Sequence, residues 1–131
     1  MDLSTATSEL EGSVPDLIAI YLFGSCSRGD ANRESDIDLA VLTGRPIEAS
    51  LRFELEGRLE EKLRLSVDLI DLRRASAVFR VQVLKDSKLL VDVDSTRRAE
   101  FECFALADYA RLNEERAGIL EDVRRSGRVY R

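Results

Sequence analysis

The chain has 131 residues, a net charge of −5 and no histidine, a length that suits one core and is short for two. With 44% apolar and 34% charged residues, its composition is ordinarily globular and argues against wholesale disorder. Without histidine there is no imidazole catalysis, no Ser-His triad and no His-bearing zinc site.

The charge is unevenly spread. From Asp94 onward eight arginines balance eight acids, so the deficit lies in residues 1–93, where twelve basic residues face seventeen acidic ones. That balance argues against a basic nucleic-acid-binding surface and suits a site that collects divalent cations. Cys26 and Cys103 have no paired spacing and point to reduced thiols in a cytoplasmic protein. No membrane span, signal peptide, internal repeat or GxxxxGK[ST] loop is present, so neither a membrane protein nor a P-loop NTPase is expected.

In chain order, Asp2 to Glu11 reads as a short helix with Leu3, Ala6 and Leu10 at helical spacing, ended by Gly12-Ser13 and Pro15. Leu17 to Phe23 is apolar on both faces, the pattern of a central, doubly covered strand. After a polar loop, Ile37 to Thr43 forms a second strand, and Gly44 and Pro46 turn into a helix running to about Leu63. Ile47, Leu51, Leu55, Leu59 and Leu63 make one stripe that covers the sheet, with the intervening Glu and Arg residues facing water. Gly57 inside that helix is expected to mark a bend or a close contact. Leu65 to Leu72 reads as a third strand, with Leu65, Val67 and Leu69 on one face and Ser66, Asp68 and Ile70 on the other. Arg73 to Lys85 is a short helix with Val78, Val81 and Leu84 inward, Lys88 to Val91 a short edge strand, and residues 95–125 helical, with Asn113 or Gly118 as points of interruption. The terminal residues 126–131 are expected to fray. The expected fold is α/β (α+β): a small mixed sheet of about four strands flanked by helices, with a long C-terminal helix. Residues 1–131 read as one domain, with a core over about 1–93 and a helical segment over about 95–125.

The chemistry concentrates between Phe23 and Leu42. Asp36 and Asp38 sit one residue apart at the start of a strand, so their side chains share a face while Ile37 and Leu39 take the other. Two like charges held that close call for a cation between them, and rigid carboxylates are the hard ligands that Mg²⁺ prefers. Gly24 lets the backbone approach a ligand, and Ser25 adds a hydroxyl and an N–H where a phosphate can bind. Asp68, a carboxylate among apolar strand neighbours, needs a partner, and the metal site is the candidate. Asp71 is the alternative, which strand parity disfavours.

Gly24-Ser25, ten intervening residues, then Asp36-Ile37-Asp38 resembles the GS-x10-D-x-D motif of the DNA polymerase β-type nucleotidyltransferase superfamily. The wider wording, Leu22-Phe23-Gly24-Ser25 through Arg28-Gly29 to Ser35-Asp36-Ile37-Asp38-Leu39, is similar to its minimal nucleotidyltransferase (MNT) branch, paired with HEPN partners in toxin–antitoxin operons. The resemblance implies a polymerase β-like fold and transfer from ATP assisted by two Mg²⁺ ions. Asp36 and Asp38 would each hold metal, with Asp68 completing the set and taking up the proton of the attacking hydroxyl. Gly24 and Ser25 would contact phosphate, and Arg28 would neutralise the triphosphate.

The function so implied is an antitoxin that places AMP on a tyrosine of a cognate HEPN ribonuclease. Two rival readings stand beside it. One is an ATP-binding antitoxin that acts by docking alone; the other is a nucleotidyltransferase with a small-molecule or RNA acceptor. The C-terminal helix, wider in its apolar face than a four-stranded sheet requires, is the candidate surface for a homodimer or hetero-oligomer.

Overall fold

Leu17–Phe23 (β1) is the strand on which the others are assembled, and all seven of its residues are buried, as a run apolar on both faces requires. The computed structural model describes residues 3–24 and 37–126, with side chains described as far as residue 119. Ile37–Thr43 (β2), Val67–Asp71 (β3) and Lys88–Asp92 (β4) complete a four-stranded sheet in the order β3-β2-β1-β4. β1 runs antiparallel to β2 and β4, whereas β2 and β3 are parallel. A parallel pair needs a crossover, which the helix Ala49–Leu63 (α2) supplies. The remaining helices are Ser4–Ser13 (α1), Ala77–Lys85 (α3) and Ser95–Ser126 (α4).

Strand alternation sorts the core into two layers. On one face Ile20, Leu22, Ile37, Leu39, Val41, Val67 and Leu69 meet Ala6 and Leu10 of α1 and Leu55 and Leu59 of α2. On the other, Ala19, Tyr21, Phe23, Ala40 and Leu42 meet Val83 of α3 with Phe101 and Ala105 of α4. A register shift between Leu17 and Ala19 brings Ile18 into this second layer, and its carbonyl accepts from the Val93 N–H at 2.8 Å.

The outer edge of β3 is closed by α2. Arg52, Glu56 and Glu60 recur every four residues and so share one helix face. The Val67 N–H donates to Glu60 Oε2 at 3.0 Å and the Leu69 N–H to Glu56 Oε2 at 2.8 Å, while Arg52 Nη1 donates to the Leu69 carbonyl at 3.2 Å. These charged side chains do not simply face water, as their spacing between leucines suggested. They satisfy backbone groups that would otherwise template another strand.

The start of α4 is pinned by ion pairs. Arg97 bridges Asp16 and Asp94, each at 2.8 Å. Arg98 bridges Asp92 and Glu102, each at 3.0 Å, and the Tyr21 hydroxyl donates to Glu102 at 2.8 Å. Arg98 and Ser95 beside Asp92 hold its carboxyl below the usual range. Burial pushes the Tyr21 phenol well up, and its bond to Glu102 adds to that. The guanidiniums of Arg73 and Arg80 lie over the Phe101 ring at 4.9 and 5.2 Å, a cation–π contact that secures α4 to the turn after β3.

Several expected boundaries and contacts change. The third strand is shorter than Leu65–Leu72, and the helix after it begins at Ala77. The turn between them is held open: Arg80 donates to the Leu72 and Arg73 carbonyls, and Ser76 caps α3 by accepting from the Phe79 N–H at 3.1 Å. Val83 is buried, and Phe79 and Leu84, half-buried like Val78 and Val81, pack against the cluster it belongs to. Gly57 marks no close contact, since a Cβ there would meet open space. α4 runs unbroken past Asn113 and Gly118. The expected fraying falls largely on residues 127–131, outside the described residues.

Candidate active site

The end of β1, the start of β2 and the start of β3 converge at one end of the sheet. Phe23 is the register partner of Asp38, and Asp38 is that of Asp68. Neighbouring strands lie about 4.8 Å apart, so the two carboxylates stand side by side on the face shared with Phe23, Ala40 and Ile70. Asp38 is buried and Asp68 half-buried. The β2–β3 register brings them together, and α2 sets that register by returning the chain to a parallel path.

Gly24 follows β1 with φ +75°, a left-handed conformation that glycine adopts without strain. A Cβ at this position would overlap the Asp38 carboxylate, whose Cγ lies 3.1 Å away. The glycine is therefore required twice, for the turn of the backbone and for the room its missing side chain leaves Asp38. The first half of the sequence motif thus touches the second through space.

Asp71 has a different task. It is 4% exposed and lies opposite Val41, three residues along the strands from the Asp38–Asp68 pair, or about 10 Å at the rise of a strand. Its Oδ2 accepts from the Ile47 N–H at 2.7 Å and its Oδ1 from the Arg73 N–H at 3.0 Å, with Arg74 Nε at 3.7 Å. These bonds tie the entry to α2 to the exit from β3. Asp71 is a structural carboxylate, and the alternative third ligand is set aside on geometry.

Ser25, Arg28 and Asp36 lie outside the described residues. Among the described residues no group of three carboxylate or thiol side chains gathers; Asp38 and Asp68 form a pair. A groove opens beside Gly24, with Phe23, Phe79, Gln82, Val83, Lys85 and Asp86 as its other walls. From sequence, only Val78, Val81 and Leu84 of residues 73–85 are expected to face inward, and none of the α3 residues of this groove is singled out. Their three- and four-residue spacing was the available signal. Among the described residues no helix is long and apolar enough to cross a membrane.

Comparison with known proteins bears on the family and the fold. The family described as "Polymerase beta, Nucleotidyltransferase" matches residues 7–96. Over 114 residues the chain is 40% identical to protein adenylyltransferase MntA of Shewanella oneidensis, spanning 87% of this chain and 81% of that one. It resembles a chain in a crystal structure of a toxin–antitoxin with AMP-PNP, with a TM-score of 0.81 and 36% identity over 94% of this chain and 98% of the other. A chain from a structure of tri-AMPylated Shewanella oneidensis HEPN toxin in complex with MNT antitoxin matches with a TM-score of 0.75 and 35% identity, covering 91% of this chain and 92% of that one.

Proposed function

The chain belongs to the polymerase beta nucleotidyltransferase family, and from that premise we propose that it is an antitoxin that transfers AMP from ATP to a tyrosine of a cognate HEPN toxin. The observation that carries this reading is the side-by-side placement of Asp38 and Asp68 against Gly24. It is supported by the likeness to an adenylyltransferase and to chains solved with a HEPN toxin.

In the proposed step the tyrosine hydroxyl oxygen attacks the α-phosphorus, an O–P bond forms, the bond to the β-phosphate oxygen breaks, and pyrophosphate leaves. Asp68 accepts the hydroxyl proton. Gly24 and Ser25 hold the phosphates through backbone N–H groups and the serine hydroxyl, and Arg28 offsets the triphosphate charge. The donor set fits Mg²⁺, because two carboxylates on one rigid sheet face are hard oxygen ligands, and Asp36 would join Asp38 and Asp68 in holding two ions. When bound, magnesium neutralises charge that develops on the phosphates.

We place all of this in one domain of residues 1–131, working in the reducing cytoplasm, where the exposed thiol of Cys103 stays free. The outer half of α4 is the proposed partner surface. The deciding experiment incubates the protein with labelled ATP, Mg²⁺ and its cognate HEPN toxin, with an Asp36→Asn/Asp38→Asn variant in parallel. Label on the toxin that disappears with the variant is the expected outcome. If folded, ATP-binding protein leaves the toxin unlabelled, the transfer reading fails and docking alone, or another acceptor, takes its place.

A further inference from the structure

We infer that the groove between the end of β1 and α3 takes the nucleoside of the triphosphate, with the base against Phe79 and its polar edge within reach of Gln82. This rests on the proposed nucleotidyl transfer and adds the part of the site that recognises what the phosphates carry.

Four observations converge on this groove. Gly24 lines it, so it begins where the phosphates are proposed to bind. It opens on the sheet face that carries Asp38 and Asp68, so a nucleoside attached at the α-phosphate extends into it across Phe23. Its volume is about 450 Å³, within the ~300–1,000 Å³ of pockets that enclose small molecules. Its walls are mixed as such pockets require: Phe23, Phe79 and Val83 are apolar, while Gln82, Lys85 and Asp86 supply polar groups.

The aromatic wall is built rather than incidental. Phe79 meets Phe23 edge to face at 5.8 Å and 85°, which fixes its ring beside the mouth of the groove. Gln82 follows Phe79 by three residues along α3, so the two lie on one helix face, and Asp86 is the residue just past the helix end. A side-chain amide carries both donor and acceptor and so matches a base edge, whereas the phenyl ring offers a stacking surface to any base. A second groove, lined by Arg52, Ile70, Arg74 and Ser76, lies on the far side of Phe79 along β3. It does not reach Gly24, so it is not continuous with the phosphate end.

The test is calorimetric binding of ATP and of tripolyphosphate, each with Mg²⁺, to the unaltered chain and to Phe79→Leu and Gln82→Ala variants. Tripolyphosphate lacks a nucleoside, and so it separates loss of the groove from damage to the fold. Phe79→Leu is expected to raise the Kd for ATP roughly tenfold and Gln82→Ala several-fold, with tripolyphosphate bound as before. ATP affinity unchanged in both variants would overturn the assignment and leave the transferase intact. A parallel loss of tripolyphosphate would also overturn it, by placing the effect in the fold or the phosphate site. If the unaltered chain bound neither ligand, the proposed transfer would fall and this inference with it.

Discussion

Gly24 is the residue on which the site depends most directly. Its positive φ and the overlap that a Cβ would make with Asp38 act in the same direction, so Gly24→Ala moves the carboxylate as well as straining the turn. Misplacing a reacting group by about 1 Å costs roughly 100-fold in rate, and a fall of that size in toxin labelling is the expected outcome. Asp68 and Asp71, three residues apart, allow the proposed catalytic role to be separated from a structural one. Asp68→Asn should abolish labelling while thermal stability changes little. Asp71→Ala leaves the buried Ile47 N–H and the part-buried Arg73 N–H without their acceptor and should destabilise the fold by about 1–3 kcal/mol. Thermal melting of both variants beside the labelling assay checks the pair. If Asp71→Ala melted normally and lost labelling, the assignment of the two residues would be reversed.

At the scale of the elements, the start of α4 is held by charge. Its first turns are joined to the sheet through Asp16, Asp92 and Asp94, whose carboxyls are all held below their usual range by arginine partners. A carboxyl lowered in the folded state contributes stability that is full above its unfolded value and is lost as pH falls through the folded one. The melting temperature should therefore decline as pH drops below about 4, near the ordinary aspartate value, and Arg98→Ala should flatten that decline by removing the partner of Asp92. At the alkaline end the sign reverses. Tyr21 is raised in the folded state, so its contribution holds below the ordinary phenol value of about 10 and is lost as pH climbs past it. A melting curve unaffected by acid in the unaltered chain would remove the ion pairs from any account of α4 docking.

Across the whole molecule, the sheet and its two helical layers account for residues up to the first turns of α4, and the rest of that helix extends beyond them. Phe101 and Ala105 are buried, whereas Phe104, Leu106 and Ile119 are 58%, 53% and 63% exposed. Large apolar side chains around an exposed helix suit a partner that covers it. Ile119→Glu should leave the melting temperature nearly unchanged, as surface substitutions usually do. The same change should weaken toxin binding roughly tenfold, as loss of an apolar anchor does. Equal affinity of the two proteins in a binding titration would move the partner surface elsewhere.

What the amino-acid order determined by itself is what short-range periodicity controls. Leu17 to Phe23 is apolar at every position and reads as an interior strand. The one-residue gap between Asp36 and Asp38 leads to the expectation of a common face, with Asp36 outside the described residues, and the leucines of α2 mark the side that meets the sheet. Placement across the fold was decided only by tertiary structure. Asp38 meets Asp68 because α2 returns the chain in a parallel register, and no local spacing encodes that alignment. Asp71 becomes a structural carboxylate because Ile47, far from it in sequence, presents an N–H. Arg52, Glu56 and Glu60 look like solvent-facing charges until β3 puts unpaired backbone beside them. Period and propensity act over a few residues, whereas register and hydrogen-bond partners depend on groups that folding alone brings together.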